Sequence, residues 1–234
     1  MQRADVDDLA ATARHHPPRD LAANQESAAR DGRWADKLSL MGRGLSGRAV
    51  GTVGFGNVAA ELFALIGPFG TANFTADPYR TPADTAAHGV TLTTLDDLLR
   101  RCDYVVVTAA LTAGTRGLLD ANKLALLPDG AVVVNVARGP IIDTGALTAA
   151  LATGRIIAAG LDVVDPEPLP PGHPLLALPN VVLSPHALAW TDEMAIGNGR
   201  SAIGSVLAVM DGHRPCNLAN PDVLNNPRFQ ESAR

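Results

Sequence analysis

Three short segments of this sequence each carry a side chain suited to chemistry directly after an apolar run. They are Asn135-Val136-Ala137-Arg138-Gly139, Asp162-Val163-Val164-Asp165-Pro166-Glu167-Pro168 and Ser184-Pro185-His186. Together they offer a guanidinium, a carboxylate and an imidazole. Hydride transfer to a ketone builds negative charge on its oxygen, and a positioned acid must protonate that oxygen. Histidine suits this near neutral pH. A neighbouring carboxylate such as Glu167 would orient the ring and support its cationic form. A guanidinium such as Arg138 grips a 2-oxo acid through two oxygens at once. Taken singly, each has a plainer reading: a structural histidine, a solvated turn residue, a surface ion pair. Their joint placement favours Arg138, Glu167 and His186 as a catalytic set.

Hydride chemistry needs a carrier, and the sequence supplies a place for one. Gly54-Phe55-Gly56-Asn57-Val58-Ala59 is a G-x-G-x-x-A run between an apolar stretch and a helical one. Gly54 permits the tight turn, Gly56 leaves room for a pyrophosphate, and Ala59 keeps helix and strand close. The N–H groups near Asn57 and Val58 would face the phosphates, aided by the helix dipole. Asp77 closes the next apolar run, where a carboxylate accepts hydrogen bonds from both ribose hydroxyls and repels a 2′-phosphate. NAD is therefore expected rather than NADP. Arg80 pulls the other way, since a guanidinium there could pair with that phosphate.

The elements that must position these residues follow from the texture of the chain. From Arg48 onward, Val- and Ile-rich runs fall at Ala49–Gly54, Ala72–Ala76, Tyr104–Ala109, Ala131–Ala137, Ile157–Val164 and Val181–Ser184. Most are continuous, as in strands buried on both faces of a parallel sheet. Helical stretches lie between several of them, at Val58–Ile66, Leu95–Arg101, Leu118–Leu127 and Thr144–Ala152. The alternation predicts an α/β, Rossmann-type doubly wound sheet with right-handed crossovers. Ligands bind such sheets at the strand ends, where the candidate residues stand. Thr191–Met210 reads as one long helix, followed by a Pro/Asn-rich tail. Residues 1–42 lack any strand-like run. Asp7–Arg14 and Arg19–Asp31 read as two helices, the second stopped by Gly32.

Bulk properties narrow the function. The chain has 234 residues, is 47% hydrophobic and carries a formal net charge of −5. It shows no basic patch, so neither nucleic acid nor an anionic membrane is an expected partner. Its apolar runs are too short and interrupted to span a bilayer, and Met1–Asp8 lacks the pattern of a secretory signal. Cys102 and Cys216 form neither a disulfide framework nor a metal cluster; they read as two thiols in a reducing cytoplasm, and no metal site is expected.

These segments together resemble the D-isomer-specific 2-hydroxyacid dehydrogenases. The resemblance rests on Leu45-Ser46-Gly47-Arg48-Ala49-Val50-Gly51 leading into the glycine motif, on Ala110-Leu111-Thr112-Ala113-Gly114-Thr115-Arg116, on Asn135 to Asp143, on Leu161 to Pro168 and on Asn180 to His186. It implies substrate binding by Arg138 and acid–base work by Glu167 and His186. It also implies that Asp162 lies by the nicotinamide ribose and carboxamide, and that Thr108, Ala110 and Ala137 stand near the nicotinamide half. Ala110 replaces a frequent proline. Trp190 follows where small residues are usual, and is either a pocket or a packing residue.

Against that family, residues 1–42 read as a helical remnant of the substrate and dimerisation region, making the substrate domain vestigial. Residues 43–190 read as the NAD-binding domain, and 191–234 as a helix and tail returning to the substrate lobe. The implied function is NAD-dependent oxidoreduction of a D-2-hydroxy acid, with a small 2-hydroxy or 2-oxo acid as substrate and a homodimer as the expected assembly. An NAD-binding regulatory or scaffold role, or a catalytically incomplete fragment, is the alternative.

Overall fold

The computed structural model describes residues 28–38, 43–215, 217, 218 and 220–225. The helix expected at Asp7–Arg14, most of that at Arg19–Asp31, and Cys216 lie outside the described residues. Contacts divide the chain into two compact units, with the break between Leu188 and Ala189.

The first unit is built on a seven-stranded sheet in the order β3-β2-β1-β4-β5-β6-β7. The strands are β1 (Ala49–Val53), β2 (Ala72–Ala76), β3 (Thr91–Leu92), β4 (Tyr104–Val107), β5 (Ala131–Asn135), β6 (Ile156–Leu161) and β7 (Val181–Leu183). Every neighbouring pair is parallel. Its helices are α1 (Asn57–Ile66), α2 (Pro82–Ala86), α3 (Leu95–Arg101), α4 (Ala121–Leu124) and α5 (Thr144–Ala152). The Rossmann-type fold expected from the sequence is thus present.

The valine runs work because both sheet faces are covered. Along β4 and β5, Val105, Val107 and Val133 join a core with Leu98, Leu99 and Leu147. Their neighbours Tyr104, Val106, Val132 and Val134 join a second core with Leu62, Phe63 and Ile66. Successive residues of a strand point to opposite faces, so a strand with two apolar faces reads as a continuous run.

Helix starts follow local capping chemistry. Thr94 accepts from Asp97 N at 3.2 Å and Asp143 from Ala146 N at 2.9 Å. The expected helix at Leu118–Leu127 is a correction: only Ala121–Leu124 is α-helical. Leu119 pairs with Ile142 in an isolated parallel bridge, and Asp120 caps the helix by accepting from Lys123 N at 2.8 Å. Leu119 is thus held as extended chain, and the helix begins only after Asp120. The expected run Ala131–Ala137 ends as a strand at Asn135, whose side-chain oxygen accepts from Ala137 N at 3.0 Å and turns the chain. The short strand β3 and helix α2 were not expected.

The second unit contains helix α6 (Asp192–Met210), capped by Thr191, which accepts from Met194 N at 3.1 Å, and a 3-10 turn at Pro221–Asn225. No residue of α6 is buried. No helix among the described residues is long and apolar enough to cross a membrane.

Candidate active site

Because the sheet is parallel, the residues after each strand emerge along one edge. The chain order reverses between β1 and β4, and this switch point is where open α/β sheets bind ligands. The glycine loop lies there. Gly54 has φ +95, and a Cβ on it would stand 2.8 Å from Ala109 Cα, so both its conformation and the approach of the neighbouring loop require glycine. Thr108 fixes the same loop: its hydroxyl donates to Gly54 O at 2.8 Å. Gly56 is exposed, with open space where a side chain would stand. It begins α1 without any side-chain cap, while Asn57 and Val58 open the helix. The first N–H groups are therefore left for an outside acceptor. These features fit a dinucleotide pyrophosphate.

Asp77, at the end of β2, is bound into this loop. Its Oδ2 accepts from Phe55 N and its Oδ1 from Tyr79 N, each at 2.8 Å. A carboxylate has about four acceptor sites, so capacity remains for ribose hydroxyls. Arg80 donates through Nε to Phe55 O at 3.0 Å. The Phe55 peptide is thus held on both sides, and the charge that could accept a 2′-phosphate stands beside the one that opposes it.

On the other side of the switch point, the structure brings two predicted residues into contact. His186 Nδ1 lies 2.7 Å from Glu167 Oε1, with both side chains somewhat less than half exposed. The loops after β6 and β7 deliver them to one place. His186 has φ +55, in the left-handed region that glycine favours.

Arg138 stands on the same edge after β5, exposed, with its Nη1 donating to Ala137 O at 2.6 Å. It makes no ion pair with Glu167 among the described residues. Its loop nevertheless packs against the loop that leads to Glu167. A Cβ on Gly139 would lie 1.9 Å from Val164 O, so only glycine permits this approach. Ala137 is buried, and Ala110 is exposed, with its carbonyl accepting from Thr115 Oγ1 at 2.7 Å. Asp162 is 7% exposed and faces the β7 loop: its Oδ1 accepts from Ser184 Oγ and from the N–H groups of Ala187 at 2.9 Å and Leu188 at 3.4 Å.

Two structural residues at this edge were missed by sequence reasoning. Asn135, 1% exposed, accepts from Ala137 N and donates to Arg138 O at 3.1 Å, shaping the arginine loop. Ser184 ties the histidine loop to Asp162. A polar residue closing a valine run was a usable signal for Asn135; nothing local marked Ser184. Cys102 ends α3 ahead of β4, at the edge opposite the loops that follow the strands; it is fully buried, and burial pushes its thiol up to about 12. Among the described residues, no cluster of three or more His, Cys, Asp or Glu side chains is arranged to hold a metal ion.

A parallel doubly wound sheet, a glycine loop with an uncapped helix start, and an acidic residue after the second strand define a dinucleotide-binding domain. Residues 18–187 match the model of the D-isomer specific 2-hydroxyacid dehydrogenase, NAD binding domain, and the chain belongs to that family. It is similar to a glyoxylate reductase of Aeropyrum pernix, 36% identical over 187 residues, covering 80% of this chain and 56% of that protein. It is similar also to the D-3-phosphoglycerate dehydrogenase of Mycobacterium tuberculosis, 37% identical over 196 residues, covering 82% of this chain and 37% of that protein. Among solved structures, the TT0316 protein of Thermus thermophilus superposes with a TM-score of 0.79 at 33% identity, covering 93% of this chain and 68% of that one. The chain thus spans about half, or less, of the length of these two named relatives.

Proposed function

We propose that this chain works as an NAD-dependent oxidoreductase on the CH–OH group of a D-2-hydroxy acid, reducing the corresponding 2-oxo acid in reverse. The observation that carries this reading is the His186–Glu167 contact, set on the same sheet edge as the glycine loop and Asp77. NAD, when bound, supplies the hydride donor or acceptor at C2. The open start of α1 and the exposed backbone at Gly56 bind its phosphates, and Asp77 binds the adenosine ribose. Thr108, Ala110, Ala137 and Asp162 stand at strand ends towards the nicotinamide half.

In reduction, His186 gives a proton to the substrate's O2; in oxidation it removes one. Glu167, bonded to Nδ1, leaves Nε2 as the nitrogen that faces the substrate and compensates the positive charge when the ring is protonated. Arg138 orients the substrate through its carboxylate and 2-oxo oxygens. Its present bond to a single carbonyl leaves most of its five donors available. The relatives' names, glyoxylate reductase and D-3-phosphoglycerate dehydrogenase, point to small anionic 2-oxo acids as the substrate class.

The same reading assigns residues 43–190 to cofactor binding, with residues 1–42 and 191–234 belonging to the substrate-binding and subunit-pairing region. A homodimer is supported by α6, where Ile196, Ile203, Val206 and Met210 are exposed. A cytoplasmic setting is supported by the sparse cysteines. The test is to assay the purified chain for NADH oxidation against glyoxylate, hydroxypyruvate and larger 2-oxo acids, alongside its His186→Ala variant. Turnover that is abolished by the substitution supports the proposal. Turnover equal in both proteins removes His186 from the chemistry.

A further inference from the structure

The family resemblance puts Asp162 beside the nicotinamide ribose and carboxamide, yet its side chain is largely engaged elsewhere. Oδ1 accepts from Ser184 Oγ, from Ala187 N at 2.9 Å and from Leu188 N at 3.4 Å. Oδ2 accepts nothing from the described residues. The three donors bracket His186: one precedes it and two follow it. His186 is also the one non-glycine residue with positive φ among the described residues. A side chain with a Cβ adopts that conformation at a cost and keeps it only where its surroundings impose it. Here the flanking groups converge on a single carboxylate oxygen.

Asp162 is itself pinned. It is buried at the end of β6, and its N–H donates to Asn135 O at 3.0 Å. Asn135 in turn shapes the Arg138 loop. The chain of contacts therefore runs from the arginine loop through Asp162 to the histidine loop.

We infer that Asp162 is a positioning residue for His186, holding the turn 184–188 so that the imidazole meets Glu167. This rests on the reading of His186 as the acid–base group. The two oxygens differ: Oδ1 holds the loop, and Oδ2 takes no bond from the described residues. An asparagine at this place keeps an accepting oxygen for the loop, whereas alanine keeps none.

The experiment uses the full chain labelled with nitrogen-15, with the His186 ring resonances assigned by their loss in His186→Gln. In the otherwise unchanged protein, Glu167→Gln moves these resonances because the two groups touch. In an Asp162→Ala background the same substitution is expected to move them no longer, and in Asp162→Asn it is expected to move them as before. The dispersion of the backbone amide resonances in the same spectra reports that each variant is folded. A full response to Glu167→Gln in Asp162→Ala overturns the inference. A lost response in Asp162→Asn overturns the assignment to a single accepting oxygen. Should Asp162→Ala fail to fold, Ser184→Ala removes one of the three donors. A weakened response then supports the inference, and an unchanged one overturns it. None of these readings needs turnover. If the resonances behave as expected while catalysis survives His186→Gln, the proposed function fails and the positioning role stands.

Discussion

His186 Nδ1 and Glu167 Oε1 meet at 2.7 Å although the residues lie on loops after different strands, β7 and β6. Where the imidazole carries the proton, losing it removes the acid without disturbing the glycine loop. His186→Ala is therefore expected to lower kcat by about two to four orders of magnitude while NAD affinity stays unchanged. Glu167→Gln is expected to lower kcat by less, because an amide still orients the ring but does not compensate its charge. Steady-state kinetics with an NAD titration checks both. Turnover retained in His186→Ala contradicts the assignment.

The fold was legible in the sequence because strands buried on both faces write themselves as unbroken valine runs, as at Ala131–Asn135. The glycine motif then fixed where the first crossover begins. Less legible were elements set by tertiary contacts. Leu118 and Leu119 carried a helical pattern, but Leu118 N closes a turn onto Thr115 O at 3.2 Å and Leu119 bridges Ile142 as extended chain. Helix α2 did announce itself, through Thr81, Pro82 and Asp84. Asp84 accepts from Thr81 N at 2.7 Å and from its hydroxyl at 2.8 Å, which holds its carboxyl below the usual range. That is a capping box, on a helix of only five residues. In the site, Arg138, Glu167 and His186 were readable as residue types at strand ends. The bonds from Asp162 to the histidine loop were not, since they join positions whose proximity only the β6–β7 pairing creates.

Cofactor choice should follow Asp77. Its carboxylate is held by Phe55 N and Tyr79 N and cannot swing away from a 2′-phosphate. Two like charges about 4 Å apart near a protein surface repel by on the order of 4 kcal/mol. NAD(H) is expected to bind more tightly than NADP(H), and Asp77→Ser should narrow the gap, since the repulsion is lost while Arg80, held through Nε on Phe55 O, stays beside the site. Fluorescence titration of both cofactors measures this. Equal affinity in the unaltered chain contradicts the role given to Asp77.

The loop packing at Gly139 should be intolerant of even one methyl group. An added Cβ would lie 1.9 Å from Val164 O and 2.1 Å from Val164 C. Both are backbone atoms, so neither can rotate aside as a side chain would. Gly139→Ala is expected to cost about 1–3 kcal/mol of stability, as overpacking does, and to shift the chain leading to Glu167. Denaturant unfolding gives the first quantity, and the Glu167-dependent shift of the His186 ring resonances gives the second. An unchanged midpoint would mean that the two loops lie farther apart than described.

Cys102 offers a probe of the sheet's opening. It is fully buried between α3 and β1, and a Cβ placed on Gly51 would stand 2.6 Å from its sulfur. Burial pushes the thiol up to about 12, so the reactive thiolate is scarce near neutral pH in the folded protein. Only the unfolded or opened chain regains an ordinary thiol, with a pKa of about 8.5. The sign follows: raising pH from about 7 to 9 should speed labelling of denatured protein strongly. Native labelling should stay slow throughout and gain only through the fraction of chains that open. In a Cys216→Ser background, where Cys102 is the remaining cysteine, a thiol reagent should give no fast phase before denaturant is added. Adding NAD should slow labelling further, because binding favours the closed chain. Rapid stoichiometric labelling of the folded, NAD-bound protein would show that α3 does not seal this face of the sheet.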